Sequence, residues 1–121
     1  MSSFFIVLYA ESFDCTISQQ YDSSYRLSGD WEVALTHLKL EGQQNPVFVF
    51  CDLVEYCHIN DTPMQLLDVA SSDYLRNGAP KYVKVVRKQF SNINMNIRAN
   101  PALDDLQSNE KFICVLHFRK V

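Results

Sequence analysis

The chain has 121 residues, 47% of them apolar, and a formal net charge of -3. That length buries a core without disulfide or metal staples, and that apolar content excludes an intrinsically disordered chain. The acidic balance argues against a dedicated nucleic-acid binder, which needs a basic face, and the short clusters Lys81, Lys84, Arg87, Lys88 and Arg119, Lys120 read as solvated strand ends.

The N-terminal stretch from Met1 to Glu11 has no basic residue before its short apolar run, so no signal peptide is expected. No run approaches the roughly 18 apolar residues of a membrane span. Phe4 to Ala10 is apolar throughout and of strand length; Phe5, Val7 and Tyr9 point one way and Phe4, Ile6 and Leu8 the other. Glu11 to Asp22 is polar and reads as a loop, with a short extended piece at Cys15-Thr16-Ile17. Tyr21 to Leu27 is a short strand that ends in the turn Ser28-Gly29-Asp30.

The only tryptophan follows. Trp31, Val33 and Leu35 alternate with Glu32, Ala34 and Thr36 at the strand period, and then the apolar parity changes to Leu38 and Leu40. A β-bulge near Thr36-His37 restores the inward face; a strand covered on both faces also fits. Trp31 is the expected core anchor. Glu41 to Pro46 is a turn punctuated by Gly42 and Pro46. Val47 to Val54 is the most hydrophobic strand, apolar on both parities and so expected to be covered on both sides.

Asn60 to Pro63 is a further turn. Met64 to Ala70 is read as a strand, although a short helix fits too. Ser71 to Pro80, with Asn77-Gly78, reads as a polar loop, and Tyr82 to Val86 as a short strand. Asn92 to Arg98 alternates most cleanly: Ile93, Met95 and Ile97 face in, and three asparagines face out. Ala99 to Glu110 is a polar loop and Lys111 to Arg119 the last strand. About eight closely spaced strands without a strong helical pattern predict an all-β, eight-stranded antiparallel single jelly-roll sandwich, one domain over 1–121, with the first and last strands adjacent.

Chemistry has few carriers. Cys57, His58 and His117 are the residues that could seed a thiol–imidazole pair, yet Cys57 and His58 are strand neighbours that point apart, and no third group orients them. Cys51, Cys57, His58 and Cys114 lack the close paired spacing of a structural zinc site. Asp52, Glu55 and Asp61 lack the rhythm of a calcium loop, and Asp104-Asp105 is a loop charge pair. No catalytic, cofactor-binding or metal residue is therefore assigned, no enzyme activity is expected, and no cofactor is implied. Cys15, Cys51, Cys57 and Cys114 are expected as free thiols, with neither disulfide nor zinc, in a cytosolic, nuclear or virion setting.

Three blocks in order carry a resemblance. They are Leu27-Ser28-Gly29-Asp30-Trp31-Glu32-Val33-Ala34-Leu35, then Val47-Phe48-Val49-Phe50-Cys51-Asp52-Leu53-Val54-Glu55, then Tyr82-Val83-Lys84-Val85 leading through Phe90 to Arg98 and on to Val115-Leu116-His117-Phe118-Arg119-Lys120. Together they resemble the penton-like minor capsid proteins of Polinton (Maverick) elements and related adintoviruses, over most of the chain. The resemblance implies a single jelly roll whose homopentamers plug the vertices of an icosahedral capsid built from a double jelly-roll major capsid protein. It implies residence in the virion and transfers no site residue. Two departures stand out: only Glu41 to Asn45 separates the first two blocks, where the family carries a much longer segment, and Ala99 to Glu110 lacks the family's glycine-containing hairpin. The reading from another class is a soluble β-sandwich binding module, for a protein or a glycan.

Overall fold

The computed structural model describes residues 2–11, 15–40, 46–70, 80–104 and 111–121, together with the backbone of 73–75. Among these, eleven strands follow in chain order: β1 (Ser3–Ala10), β2 (Thr16–Arg26), β3 (Trp31–Leu40), β4 (Val47–Cys51), β5 (Cys57–Ile59), β6 (Thr62–Met64), β7 (Leu66–Ala70), β8 (Asp73–Leu75), β9 (Val83–Lys84), β10 (Gln89–Arg98) and β11 (Phe112–Lys120). Every pairing is antiparallel, and no helix occurs among the described residues.

One sheet has the order β1-β11-β3-β8, with β9 also on β3; the second has the order β2-β10-β4-β7; β5 and β6 form a separate hairpin. The principal pairings are nested: β1 with β11, β2 with β10, β3 with β8 and β4 with β7. The first and last strands are adjacent, as expected. The two sheets face each other in a sandwich-like arrangement. Ile6, Leu8, Val33, Leu35, Phe112, Leu116 and Phe118 from the first meet Val47, Val49, Leu67, Ile93, Met95 and Ile97 from the second in one buried cluster.

The bulge expected in the tryptophan strand is present. Val115 pairs with His37 and Leu116 with Leu35, so Thr36 is the extra residue. It changes the parity, and Val33 and Leu35 before it and Leu38 and Leu40 after it all enter the core. The Thr36 hydroxyl donates to the Val115 carbonyl at 3.1 Å and so occupies an acceptor beside the interrupted ladder. Strand β4 is covered on both sides: Val47, Val49 and Cys51 join the core while Phe50, outside that cluster, is buried as well.

Three sequence expectations need correction. From Thr16 on, the polar stretch is not a loop with a separate short strand behind it; β2 runs unbroken from Thr16 to Arg26. It is an edge strand in which only Ile17, Tyr21 and Tyr25 are partly buried, so its composition is that of a solvated segment. Ser71 to Pro80 holds strand β8 at 73–75, which is set by pairing with His37 to Lys39 rather than by local pattern. Met64 to Ala70 is not one strand: β6 and β7 divide at Gln65, and β5 and β6 turn through Asn60 and Asp61, both at positive φ (49° and 64°), as a two-residue hairpin demands. Among the described residues the strands number eleven, where eight were expected. The Glu41–Asn45 part of the turn expected after β3, Asn77-Gly78, Asp105 and the rest of the loop up to Glu110 lie outside the described residues.

Candidate functional site

The residues first considered for chemistry are dispersed. Cys57 and His58 sit exposed on the β5–β6 hairpin, whereas His117 belongs to β11 in the first sheet. Cys51 and Cys114 face into the core from opposite sheets, and Cys15 is buried too; all four cysteines are free thiols. Burial pushes the Cys51 thiol up to about 12, against a smaller lowering by a backbone hydrogen bond at Leu53, and burial together with the nearby Cys51 raises the Cys114 thiol as well. Both are inert as nucleophiles at neutral pH. Among the described residues no three His, Cys, Asp or Glu side chains converge on a common point.

Asp52 has a structural use instead. Its Oδ2 accepts from Arg87 Nη1 and from Asn94 Nδ2, both at 3.1 Å, and its Oδ1 accepts the Asn94 backbone N–H at 3.1 Å. Arg87 Nη2 donates to the Asn92 carbonyl and, at 3.2 Å, to Asn92 Oδ1. Gln65 Nε2 donates to the Val54 and Asp52 carbonyls at 2.8 and 3.2 Å. This network ties the turn after β4 to β10. Glu55 and Asp61 lie exposed elsewhere in the hairpin segment, and Asp104 accepts from Asn100 Nδ2 at 2.8 Å within its own turn.

Two surface features stand out. The first is the outer face of β1 and β11. The register sets Phe5 opposite His117, Val7 opposite Val115 and Tyr9 opposite Ile113. Phe5, Val7, Tyr9 and Ile113 are 62, 57, 51 and 39% exposed. The solvated face of an antiparallel sheet is ordinarily polar; here an apolar stripe runs along an edge strand, since β1 ends the sheet order among the described residues. At one end the stripe meets a polar cluster. The His117 ring stacks on Phe5 with centroids 4.4 Å apart, and its Nδ1 shares a 2.7 Å hydrogen bond with the Tyr82 hydroxyl. Arg119 lies 3.5 Å over the Tyr82 ring and donates Nε to Glu32 Oε1 at 2.6 Å.

The second feature is a cleft of about 600 Å³ at one end of the sandwich, where the start of β1, the β2–β3 turn and the end of β11 meet. Phe4, Phe5, Tyr25, Leu27 and Trp31 supply its apolar wall, and Arg26 and Lys120 stand at it too. Rings behind the wall hold it in place: Phe4 stacks on Phe118 at 4.8 Å and on Tyr25 at 5.5 Å, and Tyr25 stacks on Phe90 at 5.2 Å. The Trp31 indole is 6% exposed and donates Nε1 to the Ser28 carbonyl at 3.0 Å.

Sequence reasoning identified Trp31 as an anchor but missed both features. The stripe has a local signal, because β1 is apolar on both parities although it lies at an edge. The cleft has none, because Arg26, Trp31 and Lys120 meet only through the topology. No protein family, no curated protein and no solved structure matches the chain. No helix among the described residues is long and apolar enough to cross a membrane.

Proposed function

We propose that this chain is a structural virion protein, a single jelly-roll penton or minor capsid subunit that forms homopentamers at icosahedral vertices. The nested strand pairing is the observation that carries the reading. A jelly roll is an antiparallel ribbon rolled across two sheets, with first-with-last and second-with-second-last pairing; the pairing of β1 with β11, β2 with β10, β3 with β8 and β4 with β7 supports that reading. The ordered sequence blocks that resemble penton-like proteins of Polinton elements and adintoviruses fall largely on β3, β4, β10 and β11 of that ribbon.

The function is assembly, with no catalytic step. A ring of five is a closed heterologous interface, in which one patch meets a different patch on the next copy. The apolar stripe on β1 and β11 supplies one patch. The opposite flank, where β7 ends the second sheet and presents exposed Val69, supplies the other. The same subunit would contact the double jelly-roll major capsid protein around the vertex. Reconstruction of particles formed when the chain is co-expressed with such a capsid protein tests this: density for five copies at each vertex is expected, and particles that exclude the chain contradict it.

A second reading, a soluble β-sandwich binding module, draws on the aromatic cleft. A protein that stays monomeric and never joins capsid components would favour it.

A further inference from the structure

We infer that the cleft at the Trp31 end is a binding site for a small organic anion, a carboxylate or sulfonate carried on an aromatic body of one or two rings. The inference is independent of the assembly reading, because it uses only groups within one copy.

The volume of about 600 Å³ lies in the range of small-molecule sites, and the lining sets the aromatic rings of Phe4, Phe5, Tyr25 and Trp31 beside polar Arg26, Ser28 and Lys120. The walls are also fixed. Trp31 is held by its hydrogen bond to Ser28, and Phe4 and Tyr25 by ring stacking through to Phe118 and Phe90. A ligand ring would enter a preformed slot and pay little to order it.

Charge then selects the sign of the ligand. Aromatic faces alone attract cations. Here Arg26 and Lys120 line the same cleft, and neither has a carboxylate partner among the described residues. Asp22 and Asp30 are equally near Arg26 in sequence; Asp22 is not among the residues that line the cleft, Asp30 pairs with Lys88 at 3.6 Å, and Glu32 pairs with Arg119. The rim is therefore positive and repels cations, while two charged donors remain for one anionic head.

The β2–β3 turn positions one of those donors. Gly29 has φ +89°, and a Cβ there would lie 3.0 Å from Lys120 Cε and 3.5 Å from its Nζ. The lysine stem lies across the space that glycine leaves free. A glycine at this turn thus serves both the left-handed backbone and the path of Lys120 to the cleft.

The test uses 8-anilinonaphthalene-1-sulfonate, its uncharged analogue N-phenyl-1-naphthylamine, and indole-3-acetate on the whole chain. Calorimetry should give one site per chain for the sulfonate, and Trp31, the only tryptophan, should lose emission in step with saturation. The Arg26→Gln, Lys120→Gln double variant should bind the sulfonate and indole-3-acetate about tenfold or more weakly, the effect of losing charge-assisted hydrogen bonds, and the uncharged analogue with unchanged affinity. Both residues are exposed, and circular dichroism checks that the variant folds. Val7→Ser, Ile113→Thr, which strips the apolar face, should leave binding intact. Equal binding of the charged and uncharged probes, an unchanged sulfonate affinity in the double variant, or loss of binding in the stripe variant would each overturn the assignment.

Discussion

Truncating Trp31 tests its role as an anchor at the scale of one residue. The indole is 6% exposed, touches Phe4 at a ring distance of 5.6 Å and holds the turn through Ser28. Trp31→Ala is expected to cost about 3–5 kcal/mol, read by denaturant unfolding followed by circular dichroism, and an unshifted midpoint would show that the ring cluster does not depend on it. The cysteines give a second residue-scale expectation. The folded pKa values of Cys51 and Cys114 lie above the ordinary value of 9.0, so as pH rises past 9 the unfolded chain loses these protons first. Unfolding free energy should fall there by about 1.4 kcal/mol per pH unit for each thiol, up to about 12 for Cys51. Replacing both with Ala or Ser should flatten that limb. At neutral pH a thiol reagent should modify exposed Cys57 quickly and buried Cys15, Cys51 and Cys114 only on unfolding, under non-reducing conditions and without bound metal.

At the scale of elements, Thr36 governs the register of β3. Deleting it would leave Leu35 opposite Leu116 and His37 opposite Val115 in an unbroken ladder and keep Leu38 and Leu40 inward, whereas deleting Thr36 and His37 together would turn both leucines to solvent, because a one-residue shift exchanges the faces of a strand. The double deletion is expected to abolish cooperative unfolding and the single deletion to preserve it, whereas Thr36→Val, which keeps the bulge and removes only the 3.1 Å bond to Val115, should cost about 1 kcal/mol. Equal effects of the single and the double deletion would show that the alternation of faces after the bulge does not govern the fold. Elements of this kind are also where sequence and structure agree and part. The parity change at Thr36, the double-sided burial of β4 and the alternation of Ile93, Met95 and Ile97 are all written in residues that enter the core. Strand β2 is not, because its outer face and much of its inner face are solvated, and β8 is not, because pairing with β3 defines it. The asparagines of β10 read as solvent-facing, yet Asn92 and Asn94 belong to the Asp52–Arg87 network, a long-range contact that spacing does not reveal.

At the scale of the whole molecule, nested pairing leaves β1 and β2 at one flank and β7 and β8 at the other. The stripe of Phe5, Val7, Tyr9 and Ile113 lies along the first flank, and burying it against a neighbour would supply the physical drive for the proposed assembly. Sequence pattern made the two faces of β1 visible but not which of them would stay exposed, since both are apolar; that follows from the sheet order alone. Native mass spectrometry at rising protein concentration, on the unaltered chain and on Val7→Lys, is the most direct measurement. Assembly through this flank predicts a species of five times the 14.0 kDa chain mass that grows with concentration and is lost in the variant. A chain that remains 14.0 kDa at every concentration, alone and with a double jelly-roll capsid protein present, would contradict it.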